Sequence, residues 1–97
     1  MITRIVKLDI NKGKINDFKS FFEKSKSEIE NFKGCKHVEL LQDINDSNIF
    51  FTYSHWDNEI MLNKYRNSLF FKKVWETTKL YFSGKPYAWS TKSINNE

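Results

Sequence analysis

Two histidines and an adjacent tyrosine and arginine are the side chains of this sequence best suited to proton-transfer chemistry. His37 and His55 are the only imidazoles, and an imidazole readily accepts a proton near neutral pH. Tyr65 and Arg66 are neighbours, so a phenol O–H and a guanidinium could together stabilise an oxyanion. This set is suited to removing a proton from a phenol, or from a carbon beside a carbonyl, and to holding the resulting anion.

The choice between the two histidines depends on the strand predicted over residues 49–56. Side chains of a strand alternate between its two faces, so His55 lies on the same face as Tyr53, and Trp56 lies on the opposite one. Trp56 could stack on a planar substrate, although a tryptophan at a strand end is also a common packing residue. If Trp56 lines the pocket, His55 points away, and we predict His37 as the general base with Tyr65 and Arg66 as its catalytic partners.

Charge and cysteine content argue against nucleic-acid and metal sites. The 97-residue chain has a formal net charge of +4, but its basic residues are almost all Lys, with Arg only at positions 4 and 66. Lys and acidic residues are interspersed, a pattern typical of a solvated surface. The single cysteine, Cys35, excludes an intramolecular disulfide, and no Cys/His spacing matches a zinc site. We therefore predict no bound nucleic acid and no metal.

Hydropathy predicts a folded protein with no membrane partner. The composition is 39% hydrophobic and 16% aromatic, which is too apolar for a disordered chain. No apolar run is long enough to cross a bilayer, and residues 1–4 do not begin a signal-peptide core. We expect a cytoplasmic protein.

The elements that must position these residues follow from hydrophobic periodicity. Alternation or β-branched and aromatic content predicts strands over 2–10, 35–42, 49–56 and 87–91. Apolar spacing of three and four predicts a helix from Ile15 to Phe32 that Gly34 ends, and a helical region over 60–80 broken near Ser68. The order β-α-β-β-α-β predicts a ferredoxin-like α+β fold with a four-stranded antiparallel sheet. We assign residues 1–92 to this domain and 93–97 to a short polar tail.

Two helices can cover only one face of such a sheet. The other face carries aromatic and polar side chains in a mixture that is too apolar to leave in water. A second sheet is its natural cover, so we predict a homodimer with the two sheets face to face.

Several segments resemble the antibiotic biosynthesis monooxygenase family. They are the sequences GC at 34–35, ELLQD at 39–43, YSHW at 53–56 and YRNS at 65–68, followed by Phe71. Their order and spacing are similar to that family over nearly the whole chain. The resemblance implies a dimeric α/β barrel with a small-molecule pocket lined by Trp56, Phe71 and Trp75. The family includes cofactor-independent oxygenases of polyphenolic substrates as well as haem-degrading enzymes.

The haem-degrading branch uses an Asn on the first strand, a Trp on the short helix and a His ligand on the last helix. The matching positions here hold Val6, Tyr65 and Trp75. An indole offers only an N–H and cannot ligate iron. The resemblance therefore implies an enzyme with no cofactor.

The sequence as a whole predicts a cofactor-independent monooxygenase that acts on a small aromatic or carbonyl-bearing molecule. Two alternatives stay open at this point. One is a non-catalytic dimeric module that binds a small ligand or serves in a stress response. The other is an isomerase of small carbonyl compounds, which would use the same base without oxygen.

Overall fold

The computed structural model describes residues 1–95, which contain four strands and three α-helices. The strands are β1 (Ile2–Asp9), β2 (Cys35–Gln42), β3 (Ile49–Trp56) and β4 (Tyr87–Thr91). The helices are α1 (Ile15–Glu30), α2 (Glu59–Arg66) and α3 (Leu69–Lys79).

The strands form one antiparallel sheet in the order β2-β3-β1-β4. The helices cover one face of the sheet. Their buried side chains pack in the same clusters as Leu8, Val38 and Phe50 of the strands. This is the predicted ferredoxin-like α+β fold, with the second helical region divided into α2 and α3. We call the face under the helices the inner face and the opposite face the outer face.

The helix α1 meets the sheet through residues spaced by four, three and four. Phe18, Phe22, Ser25 and Ile29 are its buried residues, and they lie on one side of the helix. The Phe18 ring packs edge-to-face on Phe50 of β3, with 5.1 Å between ring centroids. The amphipathic pattern of the sequence thus predicts both the helix and the face that it buries.

A serine fixes the break between α2 and α3. The Ser68 hydroxyl oxygen accepts a hydrogen bond from the backbone N–H of Phe71 at 3.0 Å, which caps α3, and the same hydroxyl donates to the carbonyl oxygen of Tyr65 at 2.6 Å. The predicted break near Ser68 is confirmed, and Ser68 is the residue that caps α3. The two bonds hold the end of α2 against the start of α3, where the Phe71 ring packs edge-to-face on Tyr65.

Gly34 lies in the turn after α1 rather than directly at the end of the helix. The helix ends at Glu30, so the predicted end at Phe32 was two residues too late. Gly34 has a φ of +91°, the left-handed conformation that the sequence suggested, and is the only residue of 1–95 with a positive φ. A β-carbon at this position would also lie 2.6 Å from Cγ of Met61 on α2. The glycine therefore lets the turn pass close beneath α2.

Replacing Gly34 with Ala is expected to lower the free energy of unfolding by about 2–4 kcal/mol, because left-handed strain and overlap with Met61 act together. Urea denaturation measures the change. Gly13→Ala is the matched control, since a β-carbon at Gly13 meets only Oδ1 of Asn11, at an ordinary 3.4 Å. A Gly34→Ala protein as stable as the Gly13→Ala protein would contradict this account of the turn.

None of the helices in residues 1–95 is both long and apolar enough to span a membrane. The division into a domain over 1–92 and a polar tail over 93–97 stays a prediction. Residues 96 and 97 of that tail lie outside the described residues.

Candidate functional site

A cavity of about 300 Å³ lies between the inner face of the sheet and the three helices. Its volume is at the lower end of the range for small-ligand sites. Most of its wall is apolar or aromatic. The side chains that matter below are Arg4, Ser54, Trp56, Tyr65, Arg66, Phe71 and Trp75, all of which line it.

The floor of the cavity is built by β1 and its two neighbouring strands. Alternation along β1 directs Arg4, Val6 and Leu8 to the inner face, and the register pairs Arg4 with Ser54 on one side and Ser90 on the other. Nη1 of Arg4 donates a hydrogen bond to the Ser90 hydroxyl oxygen at 2.9 Å. The floor is thus apolar at Val6 and Leu8, and polar where Arg4 crosses it.

Four aromatic residues form a continuous wall on the α2–α3 side. The Trp56 and Tyr65 rings are stacked, with centroids 4.8 Å apart and planes 26° apart. The Phe71 ring packs edge-to-face on Tyr65 at 5.0 Å and lies nearly parallel to Trp75 at 6.1 Å. The three residues predicted to bind substrate therefore line one cavity, and a flat ligand would find ring faces and edges beside it.

Trp56 is held in this wall by its own hydrogen bond. The side chain is only 1% exposed, and its indole Nε1–H donates to the Ser54 hydroxyl oxygen at 3.0 Å. Because that N–H is already used, Trp56 offers a ligand its ring and no hydrogen bond. The ring that packs on Tyr65 is also the ring that lines the cavity. Trp56 as a packing residue and Trp56 as a wall for a planar ligand are therefore compatible interpretations.

Tyr65 is a neutral hydrogen-bond donor in the cavity. Burial raises the pKa of its phenol well above the usual range, so the hydroxyl stays protonated at neutral pH. The hydroxyl forms no hydrogen bond with any residue of 1–95. Every fully buried side-chain N or O atom in that part of the chain has a hydrogen-bond partner. A Tyr65 hydroxyl without a partner is therefore accessible to solvent or to a ligand. It is therefore available to donate to a bound molecule.

Arg4 and Arg66 approach the cavity from opposite sides, Arg4 from the sheet and Arg66 from the end of α2. Burial lowers the pKa of the Arg4 guanidinium, and the positive charge of Arg66 lowers it further. Neither guanidinium forms an ion pair with a carboxylate of residues 1–95. Two cations thus share the cavity without a protein anion between them.

His37 lies on the outer face of the sheet and does not line the cavity. It pairs across the strands with His55, whose neighbour Tyr53 is on the same face, and its Nε2 lies 2.8 Å from Oε1 of Glu39. Directly paired residues in an antiparallel sheet share a face, so both imidazoles point outward. The expected meeting of His37 with Tyr65 and Arg66 does not occur within the protomer.

The physical reason for this correction is the register of β2. A bulge between Cys35 and His37 shifts the strand so that Val38 pairs with Ser54 and is buried on the inner face. Alternation along β3 directs His55 away from Trp56, but the face of His37 is set by the pairing of β2 with β3. The apolar Val38 and Leu40 on alternate positions were a signal in the sequence that His37 faces the other way.

Arg4 and Ser54 were not among the predicted site residues. The sequence contained a signal for Arg4, since every second residue after it in the strand is apolar: Val6, Leu8 and Ile10. Residues at this spacing share one face, which is the inner face of the sheet. A charged residue in the apolar phase of a strand suggests a functional position. Ser54 carried no comparable signal, because its role depends on the indole of Trp56 two residues later.

The sequence profile described as "Antibiotic biosynthesis monooxygenase" matches residues 1–77, which is most of the chain. The chain belongs to the antibiotic biosynthesis monooxygenase family. The resemblance seen in the short segments is thereby confirmed. A search of curated proteins found no match.

Solved structures support the same fold for this family member. A conserved protein from Methanosarcina mazei Go1 has a TM-score of 0.87 at 17% identity, covering 95% of this chain and 92% of its own. A protein from Pseudomonas aeruginosa has 0.83 at 16%, covering 96% and 93%. A structure described as an antibiotic biosynthesis monooxygenase has 0.89 at 13%, covering 97% and 99%. Identities this low carry the fold and not the reaction.

The haem-degrading members of the family offer a direct comparison of donor groups. The cavity of this chain has no His, Cys or Met in its wall, and the raised pKa of Tyr65 disfavours the phenolate that would bind iron. The residues present therefore do not fit haem. Among residues 1–95, no three His, Cys, Asp or Glu side chains come together as metal ligands would.

Proposed function

We propose that this family member is a cofactor-independent monooxygenase of a small planar molecule with a phenol or carbonyl group. The observation that carries the proposal is the aromatic cavity whose lining includes both Arg66 and Tyr65, the latter with a hydroxyl that forms no hydrogen bond within residues 1–95. The ring stack of Trp56 and Tyr65 suits a flat ligand. The hydroxyl and the Arg66 guanidinium suit the negative oxygen that the ligand acquires when it loses a proton.

The cavity supplies positive charge but no general base. No His, Asp, Glu or Lys is among its lining residues in the described part of the chain. The substrate must therefore be acidic enough to lose its proton to water, and the two guanidiniums help by lowering the pKa of a phenol or enol bound beside them. The resulting anion reduces oxygen itself. For a methylene substrate, one methylene group and one dioxygen molecule give one carbonyl group and one water molecule, with the substrate carbon as the only reductant.

The absence of a general base among the lining residues in the described part of the chain also favours the non-catalytic alternative. A cavity with aromatic walls and two arginines can bind an anionic planar ligand without transforming it. An isomerase is less well supported, because moving a proton between two carbons needs a base within hydrogen-bond reach. Oxygen consumption with the product carrying one atom from ¹⁸O-labelled dioxygen would support the monooxygenase, whereas binding without oxygen uptake would support the module.

A homodimer formed through the outer face is part of this proposal. The outer face carries an apolar row across the strands, in which Tyr53 of β3, Ile5 of β1 and Trp89 of β4 lie side by side. Trp89 and Tyr87 are stacked yet about half exposed, at 49% and 52%. A second sheet on this face would bury the row and leave one cavity in each protomer.

Tyr65→Phe is expected to lower kcat/KM for oxygen consumption by about 10- to 100-fold, because it removes one hydrogen bond to a charged oxygen and keeps the ring. The assay uses an oxygen electrode with a panel of polyphenols, hydroquinones and 1,3-dicarbonyl compounds. Tyr81→Phe is the matched control, since Tyr81 packs on Phe18 and Phe21 and does not line the cavity. Equal losses in the two variants, or none in Tyr65→Phe, would remove the proposed role of the hydroxyl.

A further inference from the structure

The cavity contains two arginines, which is one more than the binding of a single oxyanion requires. One guanidinium and the Tyr65 hydroxyl are enough to stabilise a single developing charge. Arg4 is a second cation, half-buried on the inner face of the sheet, and its side-chain partner is the neutral hydroxyl of Ser90. A partly buried cation without an anion is unfavourable, so its presence here calls for an anionic partner.

We infer that Arg4 and Arg66 together form a carboxylate subsite, and that the ligand is a planar aromatic or enolic acid. Both side chains line the same cavity, and no carboxylate of residues 1–95 neutralises either of them. The forked guanidinium matches the two oxygens of a carboxylate, which a phenol cannot offer. The inference rests on the proposed function, because it names the substrate class of the same cavity.

The geometry divides the roles between the two ends of the ligand. Arg4 lies on the floor at its polar crossing with Ser54 and Ser90, away from the apolar stretch at Val6 and Leu8. A carboxylate held there leaves the planar body of the ligand against the aromatic wall. Arg66, at the end of α2, has five N–H donors, which are enough for a carboxylate and a second oxygen of the ligand. Arg4 is therefore the residue that selects an acid over its neutral analogue.

The mutual repulsion of the arginines fits this assignment. The charge of Arg66 lowers the pKa of Arg4, and both side chains line the same cavity. An anion between them removes that repulsion. Binding is therefore expected to be weaker at high salt, because salt screens the attraction between the arginines and the ligand.

The test compares 2-naphthoate with 2-naphthamide, which have the same planar body and differ in charge. Isothermal titration calorimetry on the full-length protein is expected to show naphthoate binding at least about tenfold more tightly than naphthamide. Arg4→Gln and Arg66→Gln should each weaken naphthoate about tenfold or more and leave naphthamide within about twofold. Arg4→Lys should restore part of the loss, because it keeps the charge and loses the fork.

Lys64→Gln is the matched control, since Lys64 is two residues before Arg66 on α2 and does not line the cavity. Equal affinities for acid and amide, no binding of naphthoate at millimolar concentration, or an equal loss in Lys64→Gln would overturn the subsite. Arg66 is exposed, so Arg66→Gln gives a result even if Arg4→Gln does not fold. Oxygen uptake with a neutral substrate only, together with equal affinities for acid and amide, would keep the monooxygenase proposal while the subsite fails. Tight naphthoate binding with no oxygen uptake from any polyphenol, hydroquinone or dicarbonyl of the panel would do the reverse.

Discussion

Trp89→Lys is expected to convert the proposed homodimer into a monomer at micromolar concentration. Trp89 is in the middle of the edge strand β4 on the outer face, where it pairs with Ile5 of β1 and stacks on Tyr87 with ring centroids 6.4 Å apart. Tryptophan is among the residues that most often carry the binding energy of an interface. A lysine would put a charge, without a partner, into the part of the interface that Trp89 fills.

The expected size follows from the symmetry. Each substitution occurs twice in the dimer, and a loss of about 2 kcal/mol per protomer raises the dissociation constant about 1,000-fold. Sedimentation equilibrium over a concentration series measures it. Circular dichroism checks that the variant keeps its fold, which we expect because Trp89 is 49% exposed on an edge strand.

Leu69→Lys is the matched control for this prediction. Leu69 is a large apolar residue that is 77% exposed, but it begins α3, on the helical side of the protomer. A dimer through the outer face should be unaffected by it. A wild-type protein that stays monomeric at about 100 μM, or equal dissociation in the two variants, would contradict the proposed interface.

Trp56→Ala is expected to lower the free energy of unfolding by about 3–5 kcal/mol. The side chain is 1% exposed, and its removal deletes the stack with Tyr65 and leaves the Ser54 hydroxyl without its indole donor. A loss of this size is a large part of the stability of a domain of this length. Urea denaturation followed by far-UV circular dichroism measures it without relying on the deleted tryptophan.

Two further variants separate packing from the hydrogen bond. Trp56→Phe keeps a ring in the wall and loses the indole N–H, so it should cost about half as much as Trp56→Ala. Ile60→Ala removes a side chain that is 65% exposed and should change stability by less than about 0.5 kcal/mol. A Trp56→Ala protein as stable as Ile60→Ala would show that Trp56 is not part of the core.

Much of the fold could be predicted from the sequence because local interactions determine it. The bounds of β2, β3 and β4 agree with the predicted strands, since the alternation and the turn residues between them are properties of neighbouring positions. The caps at Ser68 and Asn58 are likewise local hydrogen bonds, to backbone N–H groups three residues ahead. The alternation along β1 likewise predicts that Val6 and Leu8 share one face, which is the inner face in the structure.

The candidate site was only partly predictable, because it depends on which residues meet across the sheet. Trp56, Phe71 and Trp75, predicted as substrate-binding residues, line the cavity, whereas His37 lies on the outer face. The bulge in β2 and its pairing with β3 are long-range features that alternation along one strand does not predict. Arg4 and Arg66 are 62 positions apart, and no local pattern brings them to one cavity. The sequence by itself determined the elements and their buried faces. Strand register and the docking of α2 on the sheet, which depend on tertiary packing, decided that the cavity holds two arginines and a tyrosine and no base.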